Sequence, residues 1–214
     1  MTSQYQLGPF NRMQFWWTRT VEPTLEPITL AEAKQHARIV QDNDDATLVR
    51  YIQAAREAAE EYLGRGLYTQ TWKLTLDFFP SDDQIFLPRA APLQSVSSVK
   101  YYDNNGALQT LSTSIYDVDM VSRPGRITRA ANQVWPTTQA DRNAGRVEIL
   151  YVVGWTTTAA IPERIKQGIR MYVTYLDADR SGFEPQNEKA RQAAEACWSD
   201  RIEWVDPVCV YATW

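Results

Sequence analysis

The sequence predicts an α+β protein in which an antiparallel β sheet or small sandwich is inserted into a helical bundle core. Apolar residues recur at helical spacing before residue 63 and after residue 161, whereas the period changes to two in between. These patterns predict an extended N-terminal arm over 1–27, a helical core over 28–66 and 156–199, a β-rich insert over 67–155, and a C-terminal tail over 200–214.

The first two predicted helices have clear sequence signals. Thr29 and Glu32 have the spacing of a capping box, in which each side chain accepts a hydrogen bond from the other residue's backbone N–H. A short helix to about Ile39 follows. The second helix carries an apolar stripe that steps by four, three, four and three residues: Leu48, Ile52, Ala55, Ala59 and Tyr62. Its small residues would admit a close neighbour, inside the fold or across a subunit boundary: Ala54, Ala55, Ala58 and Ala59. Gly64 and Gly66 end this helix.

Two further helices are predicted after the insert. Pro162 suits the first turn of the third helix, because its missing N–H has no partner there in any case. One face of that helix is apolar and should pack on the second helix: Ile165, Ile169, Tyr172, Val173 and Leu176. A polar fourth helix over 187–199 has a weak apolar side: Ala190, Ala193, Ala194 and Cys197.

The residue pattern of the insert predicts short antiparallel strands separated by turns. The segments with strand pattern are 72–76, 85–87, 96–102, 107–111, 115–118, 125–128 and 146–153. Asn105-Gly106 favours a hairpin turn between the third and fourth of them.

Both termini contain large aromatic side chains that no predicted element buries. Phe15, Trp16 and Trp17 lie in a segment with neither helical nor strand period, which is either a disordered leader or an arm that docks on a neighbouring surface. The C-terminal apolar residues must fold back on the core or insert into a partner, for instance as a strand added to a sheet edge. They are Ile202, Trp204, Val205, Val208, Val210, Tyr211 and Trp214.

Composition limits the function classes. A net charge of -4 in 214 residues argues against wrapping nucleic acid, which needs clustered Lys and Arg, but it is compatible with an acidic channel that DNA slides past. Cys197 and Cys209 have neither CxxC spacing nor a histidine nearby, so no zinc site or disulfide framework is indicated. The absence of a long apolar run predicts no membrane span and no secretion signal, and hence assembly in the cytoplasm.

Candidate catalytic and metal-binding residues are few. His36 is the only histidine and lies on a predicted amphipathic helix, so we interpret it as structural. The acidic run before the second helix lacks the glycine and closing glutamate of a calcium loop and is better explained as a helix cap: Asp42, Asp44 and Asp45. The carboxylates of the second helix are predicted to face solvent: Glu57, Glu60 and Glu61. No enzyme activity, metal or cofactor is expected.

Arginines crowd one region of the insert. Arg123, Arg126, Arg129 and Arg142 are either a scattered cationic surface or a contact for an acidic partner.

The order of several modest motifs resembles one protein family. They are Ile28-Thr29-Leu30-Ala31-Glu32-Ala33-Lys34, Gly64-Arg65, Thr69-Gln70-Thr71-Trp72, Leu87-Pro88-Arg89, Pro92-Leu93-Gln94-Ser95-Val96, Pro124-Gly125-Arg126-Ile127, Gly154-Trp155 and Ile161-Pro162-Glu163-Arg164-Ile165. From about Ile28 to Gly182 the chain resembles the head-tail connector (adaptor) proteins of tailed bacteriophages, in the branch with a β insert in a helical core.

The resemblance implies a structural part of the virion neck. Its expected form is a ring of twelve identical subunits bound beneath the portal protein, with the C-terminal tail reaching into portal subunits. The other side of the ring would receive a stopper or tail-completion protein, and DNA would pass through the lumen without sequence-specific binding. The residues then expected to contact a neighbouring subunit or the tail component are Phe15, Trp16, Trp17, Arg123, Arg126 and Arg129. The eight Trp and the β insert suggest one alternative, a carbohydrate- or host-surface-binding virion module. A small hydrolase is another, and it would need His36 in a pocket with a nucleophile.

Overall fold

The computed structural model describes residues 15–39, 45–140, 144–178 and 188–199. Over these residues the chain divides into a β-rich unit, residues 15–22 and 69–154, and a helical unit, residues 23–68 and 155–199. The α+β class predicted from the sequence is confirmed. No helix within the described ranges combines the length and apolar character needed to cross a bilayer.

The helical unit contains α1 (Leu30–Ala37), α2 (Asp45–Leu63), α3 (Glu163–Ala178) and α4 (Glu188–Cys197). The capping box at the start of α1 is confirmed: the Thr29 N–H donates to Glu32 Oε2 (2.6 Å), and the Glu32 N–H donates to Thr29 Oγ1 (3.2 Å). The bond from the Thr29 N–H to the Glu32 carboxylate, assisted by bonds from the Thr29 hydroxyl and Arg170, lowers the pKa of Glu32. Glu32 also accepts from Arg170 (3.2 Å), which ties the start of α1 to α3.

The predicted packing of α3 on α2 is confirmed. One apolar cluster joins the α2 residues Leu48, Ile52, Ala55, Ala59 and Leu63 with the α3 residues Ile165, Ile169 and Val173. Tyr62, which was expected in the same stripe, is half-buried at its edge. Gly64 follows α2 with φ 65°, a left-handed conformation that ends the helix at little steric cost.

A buried ion cluster corrects the prediction for Glu60. Glu57 and Glu61 are exposed as expected, but Glu60 is 2% exposed and Arg56 beside it is 2% exposed. Arg56 donates to Glu60 (3.1 Å) and Glu26 (2.9 Å), and the second Glu60 oxygen accepts from the Leu67 N–H (2.9 Å). Glu60 is buried because an arginine one turn earlier on α2 neutralises it. Burial raises the pKa of Glu26, and Arg56 opposes that rise.

Trp198 attaches α4 to α3, although no role was predicted for it from the sequence. Its indole Nε1–H donates to the Ile165 carbonyl (3.2 Å), and its ring lies directly over Gly168. A Cβ at residue 168 would fall 2.2 Å from the indole nitrogen, so only glycine leaves room for the ring. Tyr62 and Tyr172 flank the ring, with centroids 5.9 and 5.7 Å away.

The β-rich unit contains two antiparallel sheets. The first has the order β1 (Phe15–Val21), β2 (Gln70–Leu76), β8 (Val147–Val153), β4 (Leu93–Tyr102) and β5 (Leu108–Thr110). The second has the order β3 (Gln84–Phe86), β7 (Arg126–Arg129) and β6 (Tyr116–Asp119). Strands were predicted at each of these places except β1. The hairpin at Asn105-Gly106 is confirmed, with Gly106 at φ 79° between β4 and β5.

Both sheets contribute to one apolar core. The strand β8 shows why the period-two pattern was reliable, because its alternate residues are buried: Val147, Ile149, Tyr151 and Val153. Ile85 and Ile127 of the second sheet lie in the same core. The buried Tyr151 hydroxyl donates to the Pro88 carbonyl (2.8 Å), which satisfies the one polar atom of that side chain.

The strand β1 differs from the extended arm predicted over 1–27. Residues 15–21 pair in antiparallel register with β2, from Phe15 opposite Leu76 to Val21 opposite Thr71. The sheet therefore takes up this stretch, and its backbone hydrogen bonds go to the chain's own β2.

Candidate functional site

The aromatic residues predicted to bind a neighbour lie on β1. Phe15 and Trp17 point to the same side, stack with centroids 5.9 Å apart, and pack against the core of the β-rich unit. Trp16 points to the opposite face and lies close to Gly145. All three are half-buried, so a part of each ring is available to another molecule. A contact of these residues with a neighbouring subunit or tail component stays a prediction.

A cationic contact covers Trp72, the β2 residue opposite Arg19. The guanidinium carbons of Arg19 and Arg89 lie 5.7 and 5.3 Å from the Trp72 ring centroid. Arg19 also pairs with Glu22 (2.8 Å). Such cation–π contacts stabilise a ring whose surroundings are partly desolvated. No role was predicted for Arg19 or Arg89 from the sequence.

The three predicted arginines have different environments. Arg126 is bonded to Asp119 (2.9 Å) and Gln84 (2.9 Å), and Arg129 is bonded to Asp83 and the Gln133 carbonyl. Arg123 lies in the turn before β7, is exposed, and forms no ion pair with a residue that the structure describes. Arg126 and Arg129 therefore hold the second sheet together, whereas the charge of Arg123 is offered to solvent.

The turn between β6 and β7 is organised around the Asp119 carboxylate. It accepts hydrogen bonds from the N–H groups of Val121 (3.0 Å) and Ser122 (3.0 Å), from the Ser122 hydroxyl (2.5 Å) and from Arg126. These bonds, the Ser122 hydroxyl first, hold the pKa of Asp119 well below its usual range. An aspartate whose pKa is lowered by folding stabilises the fold above the ordinary Asp range, and this stabilisation is lost as the pH falls below that range and through the lowered folded-state pKa. The turn is thus fixed at neutral pH.

The C-terminal apolar residues and His36 also had a predicted role. The C-terminal residues predicted to bind the portal protein, Ile202, Trp204, Val205, Val208, Val210, Tyr211 and Trp214, lie outside the described residues. His36 is exposed on α1, which does not suit the hydrolase alternative, because a catalytic histidine there would need an enclosing pocket.

Comparison with known protein families finds one match, over part of the chain. Residues 27–124 match the family described as phage gp6-like head-tail connector protein. Over this stretch, 98 of the 214 residues, the chain is similar to head-tail connector proteins. The match runs from the entry into α1 to the turn after β6, and it confirms the recognition made from the motif order.

Solved structures share the fold of this chain. The chain matches one in the virion of a native gene transfer agent particle with a TM-score of 0.69 and 20% identity, covering 85% of this chain and 94% of that one. It matches a chain in the neck of an empty particle, computed with C6 symmetry, with a TM-score of 0.67 and the same identity and coverage.

A third match is to the neck of a native gene transfer agent particle computed with C12 symmetry, with a TM-score of 0.62, 20% identity, and coverage of 84% of this chain and 94% of that one. At this identity the likeness shows the fold. No curated protein sequence matches the chain. The family and the fold together support a structural connector role and give no support to the carbohydrate-binding alternative.

Proposed function

We propose that this connector chain forms a ring of twelve subunits beneath a portal protein, where the ring continues the DNA channel and receives a stopper or tail-completion protein. The observation that carries the proposal is the match of residues 27–124 to head-tail connectors, combined with a fold found in a neck with C12 symmetry. The chain acts in the neck of a virion after assembly in the host cytoplasm.

The proposed action is geometric and involves no bond chemistry. A ring closed by rotational symmetry repeats one heterologous contact, so weak identical interfaces support one another. A subunit already held by the portal meets its neighbours at high effective concentration, which allows the free chain to stay monomeric. The net charge of -4 suits a lumen that repels the DNA backbone and reduces friction as the genome passes.

Electron-microscopic class averages of the chain mixed with the portal protein of the same genome test this proposal. We expect a second ring stacked coaxially on the portal, with twelvefold symmetry. A bare portal beside free monomer would contradict the proposed function.

We further propose that the C-terminal tail binds the portal. Seven large apolar residues between 202 and 214 in so short a segment suit insertion into a partner's grooves, where Trp and Tyr supply most of the binding energy. Removal of residues 201–214 is therefore expected to weaken portal binding at least ~100-fold in a pull-down or by native mass spectrometry. Portal binding that survives the truncation unchanged would disprove this role, provided that circular dichroism shows the truncated chain to be folded.

A further inference from the structure

The turn between β6 and β7 presents two aliphatic side chains to solvent. Val121 is 90% exposed and Met120 is 52% exposed. Such turns usually carry Gly, Pro, Asn, Asp or Ser, which suit the backbone and are readily hydrated. A Met-Val pair at this position brings no benefit to the turn itself and makes an apolar tip.

The tip is held rigid before any partner arrives. Asp119 accepts hydrogen bonds from the backbone of Val121 and Ser122, and Arg126 holds Asp119 from β7. Because the backbone is fixed in advance, docking of the tip loses little conformational entropy. Arg123, exposed and without an ion pair among the described residues, adds a positive charge beside the two aliphatic side chains.

The exposed flank of α2 has the complementary character. Ala54, Ala58 and Glu61 follow one another at spacings of four and three residues and so share one side of the helix. Ala54 is exposed and Ala58 half-buried, and both are small enough to admit an aliphatic side chain. This flank therefore offers a small apolar surface that ends in a carboxylate.

Glu61 is placed where a helix disfavours a negative charge. It lies in the last turn of α2, where the unpaired carbonyls carry partial negative charge, and that turn contains no basic residue. Glu61 is exposed and forms no ion pair within the part of the chain that the structure describes. A cation supplied by another molecule would offset this unfavourable placement.

We propose that the tip formed by Met120, Val121 and Arg123 docks on the α2 flank of a second copy of this chain, with Arg123 facing Glu61. The proposal rests on the ring described above and specifies its subunit contact. A second copy fits the tip in charge, because the chain is acidic overall and carries the carboxylate that Arg123 lacks.

The size of the tip also favours a repeated contact. Two aliphatic side chains and one arginine bury far less than the ~800 Å² per partner of a stable binary interface. Such a contact is useful when it recurs around a closed ring, where every subunit gives one tip and receives another.

Stepwise binding of full-length subunits to the portal ring tests the contact between the tip and the α2 flank. Native mass spectrometry across a concentration series gives both the affinity of the portal for the first subunit and the cooperativity with which further subunits bind beside it. Val121→Asp is expected to weaken the neighbour contact ~10-fold and abolish cooperative filling, with the affinity of the first subunit unchanged. Val134→Asp is the matched control, since Val134 is a 75% exposed aliphatic residue of the same unit outside the tip. Cooperative filling by Val121→Asp equal to wild type would overturn the proposal.

Charge reversal tests the partner surface. Arg123→Glu and Glu61→Arg are each expected to reduce cooperativity, and the double variant Arg123→Glu/Glu61→Arg to restore it, because the pair re-forms with opposite polarity. Two damaging single variants without rescue in the double would overturn the assignment of the α2 flank.

Failure of the connector proposal can be distinguished from failure of the tip contact. If wild-type chain does not bind the portal at all, the connector proposal fails, and the tip contact is then judged by sedimentation equilibrium of the free chain. The measurement uses ~mM chain, the concentration range that neighbours in a ring experience. Weaker self-association in Val121→Asp than in Val134→Asp would still support the tip contact, and equal self-association of the two variants there would exclude it.

Discussion

Replacing Arg56 with alanine is expected to lower the free energy of unfolding by ~3–5 kcal/mol, because it leaves the buried Glu60 carboxylate and the half-buried Glu26 carboxylate without their cation. Arg56 and Glu60 are both almost fully buried, and Glu26 shares the same guanidinium. Solvent cannot screen the loss at such a site, and the Glu60 carboxylate stays fixed by the Leu67 N–H. Urea unfolding at pH 7, followed by circular dichroism, measures the change.

The matched control is Arg50→Ala. Arg50 is an exposed arginine on the same helix, so its removal should change the free energy of unfolding by less than ~0.5 kcal/mol. A cost below ~1 kcal/mol for Arg56→Ala would mean that water compensates the carboxylates, and would contradict the burial of this cluster.

The pH dependence of Arg56→Ala and a double variant test whether uncompensated carboxylate charge causes the loss in free energy of unfolding. Removal of Arg56 eliminates the interaction that opposes the raised pKa of Glu26, so that pKa rises further. An acid whose folded pKa is raised binds more protons in the folded state than in the unfolded state, so lowering the pH favours the folded state. The difference in free energy of unfolding between wild type and Arg56→Ala should therefore become smaller as the pH falls from 7 toward 5. Arg56→Met/Glu60→Gln should recover most of the loss, because Gln is neutral and still accepts from the Leu67 N–H.

The elements that the sequence predicted are those with a local signal. The capping box at Thr29, the α2 stripe and the alternation in β8 each lie within a few residues and need no distant partner. The strand β1 was missed because aromatic residues occur on both of its sides, Phe15 and Trp17 on one and Trp16 on the other. No apolar/polar alternation results, and the paired β2 residues lie 50 to 61 positions further along the chain than their β1 partners.

Long-range partners explain the other differences. Glu60 was expected in solvent because a charged residue on a helix usually is, yet the Leu67 N–H and the Glu26 carboxylate complete a cluster that no periodicity reveals. Arg126 and Arg129 find Asp119 and Asp83 in the folded sheet, which leaves Arg123 as the arginine of the three with a free charge among the described residues. A turn with Met120 and Val121 could have been noticed from the sequence, but its rigidity depends on the Asp119 contacts.

Trp198→Ala is expected to lower the free energy of unfolding by ~3–5 kcal/mol, the usual cost of deleting a buried aromatic side chain. Trp198 is 1% exposed and carries the contact of α4 with α3. Its loss removes the hydrogen bond to the Ile165 carbonyl and leaves a cavity over Gly168. Lys189→Ala, an exposed position on α4, is the control and should be nearly neutral. A cost under ~1 kcal/mol for Trp198→Ala would show that α4 is held by other contacts.

The effect of Gly168→Ala should change sign with the residue at 198. In the wild-type chain the new methyl group would meet the indole 2.2 Å from Nε1 and displace it, at a cost of ~1–3 kcal/mol or more. In the Trp198→Ala background the same methyl group has space, and alanine in the middle of a helix is favoured over glycine by ~1 kcal/mol. A double-mutant cycle in urea measures this coupling. Equal effects in the two backgrounds would show that the ring does not occupy the space above Gly168, because the sign reversal depends on that contact alone.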